Sequence, residues 1–263
     1  MTATVAAHAE PELLSMFRLD GKVAVVTGAS AGLGRRFVEV LHGAGATVIA
    51  AARRTDRLEQ LAEELPGCVP VFVDLADEGS LVRLADQVAT DHGGADILIN
   101  NAGMGGAFRA ESDLVSGLRD MLEVNVIGLF RLAQLFGVQM IGKGGGSIVN
   151  VGSIFGLVGG GEIPLASYCA SKGAVHSLTR DLACQWARKN VRVNVLAPGY
   201  FRSEMTTRRL DAPDADEWLE RNSPMGRHGA EHELDGALLF LSSAASTFVT
   251  GQALVVDGGW SAR

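Results

Sequence analysis

A single doubly wound α/β domain built on a parallel sheet of seven strands is what the sequence predicts. Three observations predict it. Short apolar runs of strand length alternate with helical patterns along most of the chain, which is how a parallel sheet with covering helices reads. The first run, Val23–Val26, is apolar throughout, as in a strand buried on both faces. It leads at once into a glycine-rich turn and a helix. No linker, repeat or change of composition divides the chain, so residues 19–263 read as one domain behind an N-terminal tail of residues 1–18.

The 263 residues are enough to bury roughly three quarters of the unfolded surface. Glycine supplies 33 of them, well above the usual share of about 7%. Much of that excess falls in loops where backbone must turn sharply or approach a ligand. A net charge of −7 argues against nucleic acid, whose binding needs a basic face. No run reads as the roughly 18–20 apolar residues of a membrane span. The first 17 residues lack a basic stretch followed by an apolar one, and the tail is expected to be partly disordered. Cys68, Cys169 and Cys184 show no CxxC or metal-ligand spacing. They read as free thiols in a reducing cytoplasm, and no metal site is expected.

In chain order, the first strand is followed by GASAGLG, Gly28–Gly34. Its glycines allow backbone to approach a pyrophosphate, and the helix behind it brings N–H groups and a positive dipole end. The spacing is GxxxGxG rather than GxGxxG. The second strand, Thr47–Ala52, ends where a ribose-binding acid would stand. Here the chain reads Arg53-Arg54, with Arg57 one turn on. Three cations opening a helix are opposed by its dipole. An anionic ligand accounts for them, and the 2′-phosphate of NADP(H) is the natural one, met first by Arg53 and then by Arg54.

The third strand, Val69–Val73, ends in Asp74-Leu75. Asp74 has two readings, an acceptor for an adenine amino group or the cap of the helix that starts near Glu78. The fourth strand, Ile97–Asn100, ends in NNAG, amides and a glycine suited to close ligand approach. A single long helix is expected from Leu114 to Ile141, with Asn125 out of place inside it. A fifth strand, Ser147–Val151, delivers Ser153 to its exit. The apolar Ile154, Phe155, Leu157 and Val158 follow, then Gly159–Gly161. A helix from about Leu165 to Asn190 carries Tyr168 and Lys172. A sixth strand, Val191–Leu196, precedes Pro198-Gly199, a segment of about 200–227 reads as a lid, and TGQALVVDGG supplies the seventh strand.

Tyr168 and Lys172 are four apart and share a helical face. A free phenol, with a pKa of about 10, is a poor base at neutral pH. A neighbouring ammonium is expected to lower it. His176 reads as a packed helical histidine, and Met205, Trp218 and Met225 as lid packing or pocket lining. Arg208 and Arg209 either meet an acidic substrate or face water.

TGASAGLG, NNAG, Asn125, Ser153, YxxxK and the Ala197-Pro198-Gly199 turn together resemble the short-chain dehydrogenase/reductase family, in its order and spacing, from about Leu19 to Trp260. SPMGRHGA and TGQALVVDGG resemble the branch of 3-oxoacyl-carrier-protein reductases and sugar and alcohol dehydrogenases. The resemblance implies a Rossmann-like fold, a nicotinamide cofactor, a small carbonyl or alcohol substrate and a homotetramer or homodimer. It implies Tyr168 as acid/base, Lys172 as its tuner and a ribose ligand, Ser153 as orienter of the substrate oxygen, and Asn125 as holder of a relay water. Gly28, Ser30, Leu33 and Gly34 map onto the phosphate loop. Asp74 and Leu75 map beside the adenine, Asn101, Ala102 and Gly103 beside its ribose, and Pro198 and Gly199 beside the cofactor. Two departures stand out: Ser153 and Tyr168 are 15 apart, a little more than usual, and GASAGLG holds no basic residue. NADP(H) is favoured on Arg53 and Arg54, with NAD(H) the alternative. A cofactor-binding sensor without catalysis is the reading from another class, and the presence of all four catalytic types speaks against it.

Overall fold

The computed structural model describes residues 10–262, with side chains from residue 13 onward. Residues 1–9 of the expected tail lie outside the described residues, and Glu10–Ser15 form a short helix, α1. The chain then alternates strictly: β1 Val23–Thr27, α2 Gly32–Gly43, β2 Thr47–Ala52, α3 Thr55–Glu64, β3 Val69–Phe72, α4 Glu78–His92 and β4 Ile97–Asn100. The second half runs α5 Val115–Leu122, α6 Leu129–Lys143, β5 Gly146–Val151, α7 Ala166–Trp186 and β6 Val191–Pro198. Two short helices, α8 Thr207–Leu210 and α9 Ala215–Asn222, precede α10 Asp235–Ser242 and β7 Ala253–Val256.

All seven strands pair in parallel in the order β3-β2-β1-β4-β5-β6-β7. The strands are apolar on both faces because helices cover both. Successive residues of β1 show the division. Ala24 and Val26 pack into a layer with Phe37 and Leu41 of α2, Leu58 of α3 and Leu238 of α10. Val25 enters the opposite layer with Leu84 of α4, Phe136 of α6 and Leu182 of α7. The sheet order reverses between β1 and β4, and ligands of such sheets bind in the crevice at the carboxyl ends there.

Local chemistry sets the ends. Asp77, not Asp74, caps α4, its carboxylate accepting from Gly79 N at 2.9 Å. Asp74 lies one turn earlier and accepts from Ala76 N at 3.1 Å. Gly93 and Gly144 close α4 and α6 with φ of 71° and 92°, a left-handed conformation that suits glycine.

The expected single helix from Leu114 to Ile141 is instead three pieces. A π-helical turn, Glu123–Gly128, interrupts α5 and α6. Gly128 sits where a Cβ would stand 2.4 Å from the Leu75 carbonyl oxygen, so the helix approaches the β3 exit more closely than any side chain permits. A second expectation is also corrected. The helical stretch Val115–Lys143 is long and apolar enough to cross a membrane, and an 18-residue window within it has a mean hydropathy of 1.5. Its buried residues, among them Leu132, Phe136 and Met140, pack on the sheet.

Candidate active site

The glycine loop opens the site. Gly28 has φ of +68° and Gly32 of +52°, which side chains with a Cβ rarely adopt. Gly34 lies against the loop it follows: a Cβ there would be 2.2 Å from Gly28 O and 2.5 Å from Asn101 Nδ2. Gly34→Ala is therefore expected to lower stability by about 1–3 kcal/mol, as overpacking does. It should also blunt the rise in Tm that NADP+ produces. Thermal melts with and without the dinucleotide check this.

Asn101 and Thr27 brace the loop from behind. Asn101 Nδ2 donates to Thr27 O at 2.9 Å, while Thr27 Oγ1 accepts from Asn101 N and Ala102 N, both at 3.0 Å. Sequence reasoning passed over Thr27, the last residue of β1, although a hydroxyl at a strand's exit before a glycine loop was a usable signal. Beneath them runs a buried polar ladder in which Asn100 Nδ2 donates to Asn150 Oδ1 and Asn150 Nδ2 to Thr179 Oγ1, each at 2.9 Å.

From this loop a cleft of about 510 Å³ follows the carboxyl ends of the strands, within the range of small-molecule sites. It is lined by Gly28, Ser30, Leu33, Gly34, Arg53 and Arg54 at one end, Asp74, Leu75, Asn101, Ala102 and Gly103 along the wall, and Ser153, Tyr168, Lys172, Pro198 and Gly199 at the other end. Sequence reasoning had singled out every one of these. Asn125 alone stands back from the cleft wall. Its side chain is committed to the backbone of Met104, Oδ1 accepting from Met104 N and Nδ2 donating to Met104 O, both at 2.8 Å. Nδ2 also reaches Ser171 Oγ at 3.1 Å.

Lys172 is buried, and its Nζ donates to Val151 O at 2.8 Å and lies 5.8 Å from the centroid of the Tyr168 ring. Burial depresses its pKa to about 8. Tyr168 departs from expectation. Its pKa is raised by burial, a hydrogen bond from the Ser153 hydroxyl pulls the other way, and Lys172 is not among the causes. The ammonium faces the ring and spends a proton on Val151, so desolvation prevails.

Ser153 caps the short 3-10 turn Ile154–Gly156, accepting from Phe155 N at 3.2 Å. His176 Nε2 bonds Ser153 O at 3.2 Å. Burial holds His176 neutral by lowering its pKa, so the reading as a packed histidine holds, with the addition that it anchors the serine. Cys169 has its pKa raised by burial, which suits packing and not a nucleophile.

The longer interval between Ser153 and Tyr168 is absorbed before α7 begins. Phe155 meets the Tyr168 ring edge-on at 6.4 Å and Tyr200 at 6.0 Å. Tyr200, Trp218 and Trp260 form an aromatic cluster with ring centroids 4.8–5.2 Å apart. Trp218 is buried there, Met205 lines the cleft, and Met225 is exposed elsewhere. Arg209 is already paired: it makes two hydrogen bonds to Asp214 and stacks 4.3 Å over Trp218.

A parallel sheet reversing at β1/β4, a glycine cradle and a serine, tyrosine and lysine gathered at the far end of one cleft define a nucleotide-dependent oxidoreductase, and the chain belongs to the short-chain dehydrogenase/reductase family. A family model described as enoyl-(acyl carrier protein) reductase matches residues 28–261. The chain is 40% identical over 249 residues to a galactitol 2-dehydrogenase (L-tagatose-forming) of Cereibacter sphaeroides, covering 94% of this chain and 97% of that one. It is 39% identical to a gluconate 5-dehydrogenase of Gluconobacter oxydans, covering 93% and 96%. Among solved structures, a gluconate 5-dehydrogenase from Burkholderia cenocepacia in complex with NADP and tartrate superimposes with a TM-score of 0.91 at 34% identity, covering 95% of this chain and 99% of that one.

Proposed function

We propose that the protein interconverts a secondary alcohol and a ketone on an open-chain polyol or sugar acid, using NADP(H). The observation that carries this is the single cleft with the glycine cradle and Arg53 at one end and Ser153, Tyr168 and Lys172 at the other. The substrate class is supported by the galactitol and gluconate dehydrogenases among its relatives. The residues fit the cofactor: the glycine loop, turned at positive φ at Gly28 and Gly32, lines the cleft at the start of α2, where backbone N–H groups and the positive end of the helix dipole suit a pyrophosphate. When bound, NADP(H) gives or takes the hydride.

The chain's own groups handle position and protons. The Tyr168 hydroxyl donates a proton to the ketone oxygen in reduction and takes it back in oxidation. Ser153 Oγ, near the same phenol, donates to that oxygen and orients it. Lys172 lies behind Tyr168, and its charge favours the phenolate once a substrate and cofactor surround the pair. Asn125, whose side chain is held by Met104, keeps the role of holding a relay water that the family resemblance implies. Residues 200–227, with Met205 on the cleft wall, serve as the substrate lid. Exposed Leu114, Val115, Ile127 and Val138, from the start of α5 through the π-helical turn into α6, suit an assembly of two or four copies. The described cysteines are free, which suits the cytoplasm.

A panel of polyols and aldonates with NADP+ and NAD+ tests the reading: turnover should appear with a polyol or aldonate and favour NADP+. A second reading, NAD(H) as the working cofactor, is favoured by the lack of a basic residue in GASAGLG. Arg53 decides between them. It makes no hydrogen bond or ion pair among the described residues, and it is exposed at the cleft. Arg53→Ala should raise KM for NADPH about tenfold, the size of one lost bond to a charged group, and leave KM for NADH nearly unchanged. Equal changes in both constants would favour the NAD(H) reading.

A further inference from the structure

Two of the three arginines at the adenosine end of the cleft are already holding an anion. Arg54 Nη1 donates to Glu204 Oε1 at 3.0 Å, and Arg57 Nη1 donates to the same oxygen at 2.7 Å. Arg54 Nε also donates to Ser30 Oγ in the glycine loop at 3.1 Å. Glu204 comes from the segment after β6, about 150 residues away in sequence, and it lines the same cleft as Ser30, Arg53 and Arg54.

Local hydrogen bonds set the backbone of the segment that carries Glu204. Ser203 N donates to Thr206 Oγ1 at 2.9 Å, Thr206 Oγ1 donates to Phe201 O at 2.6 Å, and Thr207 Oγ1 donates to Ser203 O at 2.7 Å. These bonds fold residues 203–207 into a turn whose exposed carboxylate points at the arginines. The two guanidinium groups hold that carboxylate well below the usual range, at about 2, so it is charged at any working pH. Arg53, by contrast, has no partner of its own among the described residues.

We propose that Glu204 is a determinant of cofactor selectivity, an acidic group in the chain that occupies Arg54 and Arg57 and competes there with the 2′-phosphate of NADP(H). The inference rests on the reading of this end of the cleft as the 2′-phosphate site. A 2′-phosphate arriving at Arg53 meets two further cations only by displacing the carboxylate, which otherwise repels it. Selectivity for NADP(H) over NAD(H) is therefore set lower than three arginines alone would set it. An exposed ion pair carries at most a factor of about five in an equilibrium constant, and salt screens it.

The test is the binding of NADP+ and NAD+, and of adenosine 2′-monophosphate and adenosine, to wild type, Glu204→Gln and Arg53→Ala. Glu204→Gln should tighten NADP+ and adenosine 2′-monophosphate by about fivefold, leave NAD+ and adenosine within about twofold, and lose that gain as salt is raised. An unchanged ratio, an equal gain for both cofactors, or weaker NADP+ binding would overturn the proposal; the last would mean that Glu204 positions the arginines for the phosphate. Arg53→Ala separates the two levels. If it weakens NADP+ selectively while Glu204→Gln does nothing selective, only the role of Glu204 fails. If it weakens both cofactors equally, the phosphate site itself is misplaced and the role of Glu204 fails with it.

Discussion

Replacing Tyr168 by Phe should lower kcat by about 10²–10⁴-fold, the usual contribution of a positioned acid/base group, with little change in the dissociation constant for NADP+. The ring survives in the variant, so its edge-on contact with Phe155 and the cleft wall survive with it. Only the hydroxyl is lost. Burial keeps that hydroxyl protonated in the free protein, which makes it a ready donor for ketone reduction. Oxidation needs the phenolate, so the oxidative rate should rise with pH over a wider range than the reductive rate. Steady-state rates in both directions, with NADP+ titrations of the variant, check the two halves of this expectation. A variant that keeps reductase activity would remove Tyr168 from the chemistry.

Lys172→Met should make the protein more stable and much less active. Lys172 is buried with its pKa lowered from 10.5 to about 8. Below pH 8 both folded and unfolded chains carry the proton, and the folded state bears the full cost of burying the charge. Between pH 8 and 10.5 the unfolded chain binds more protons than the folded one, so stability rises with pH as this cost is removed. Over that interval the cost is on the order of 3 kcal/mol. Removing the ammonium also leaves Val151 O without its donor, a loss of about 1 kcal/mol. The net gain at neutral pH is about 2 kcal/mol, a rise of several degrees in Tm. The advantage of the methionine variant should shrink steadily as the pH is raised from 8 toward 10.5. Turnover should fall about a hundredfold or more. Melting curves of both proteins across that range, with kcat at neutral pH, test the trade. A variant no more stable than wild type at pH 7 would mean that the charge is not held at a cost.

The difference between what could and could not be read from the sequence follows from the range of the forces involved. Strands β1 and β4 were legible because each holds an unbroken apolar run, Val23–Val26 and Ile97–Ile99, and the strand exits mark where the ligand residues stand. Tyr168 and Lys172 were legible because a spacing of four is a purely local statement about a helix. The π-helical turn at Glu123–Gly128 was not, since its apolar residues continue the helical pattern on both sides. Only the misplaced Asn125 hinted at it, and its cause is the close approach of Gly128 to Leu75. The sequence left Asp74 with two readings, adenine acceptor or cap of α4, because Asp74 and Asp77 are both acids before the same helix; Asp77 takes the cap. Spacing shows that a lysine lies near Tyr168, but not the burial that pushes the phenol's pKa up in the free protein. Glu204 was invisible, since no local pattern joins it to Arg54 and Arg57. That pairing exists only once the exits of β2 and β6 lie beside one cleft.

The central claim is that a bound NADP(H) exchanges a hydride with a substrate carbon while Tyr168 exchanges a proton with its oxygen. Reduction of the best ketone from the panel with NADPH deuterated at C4, on the face that transfers, measures this directly. The account predicts one deuterium on the carbinol carbon of the product and none released to water. Product carrying no deuterium, or the same labelled product formed at an undiminished rate by Tyr168→Phe, would contradict it.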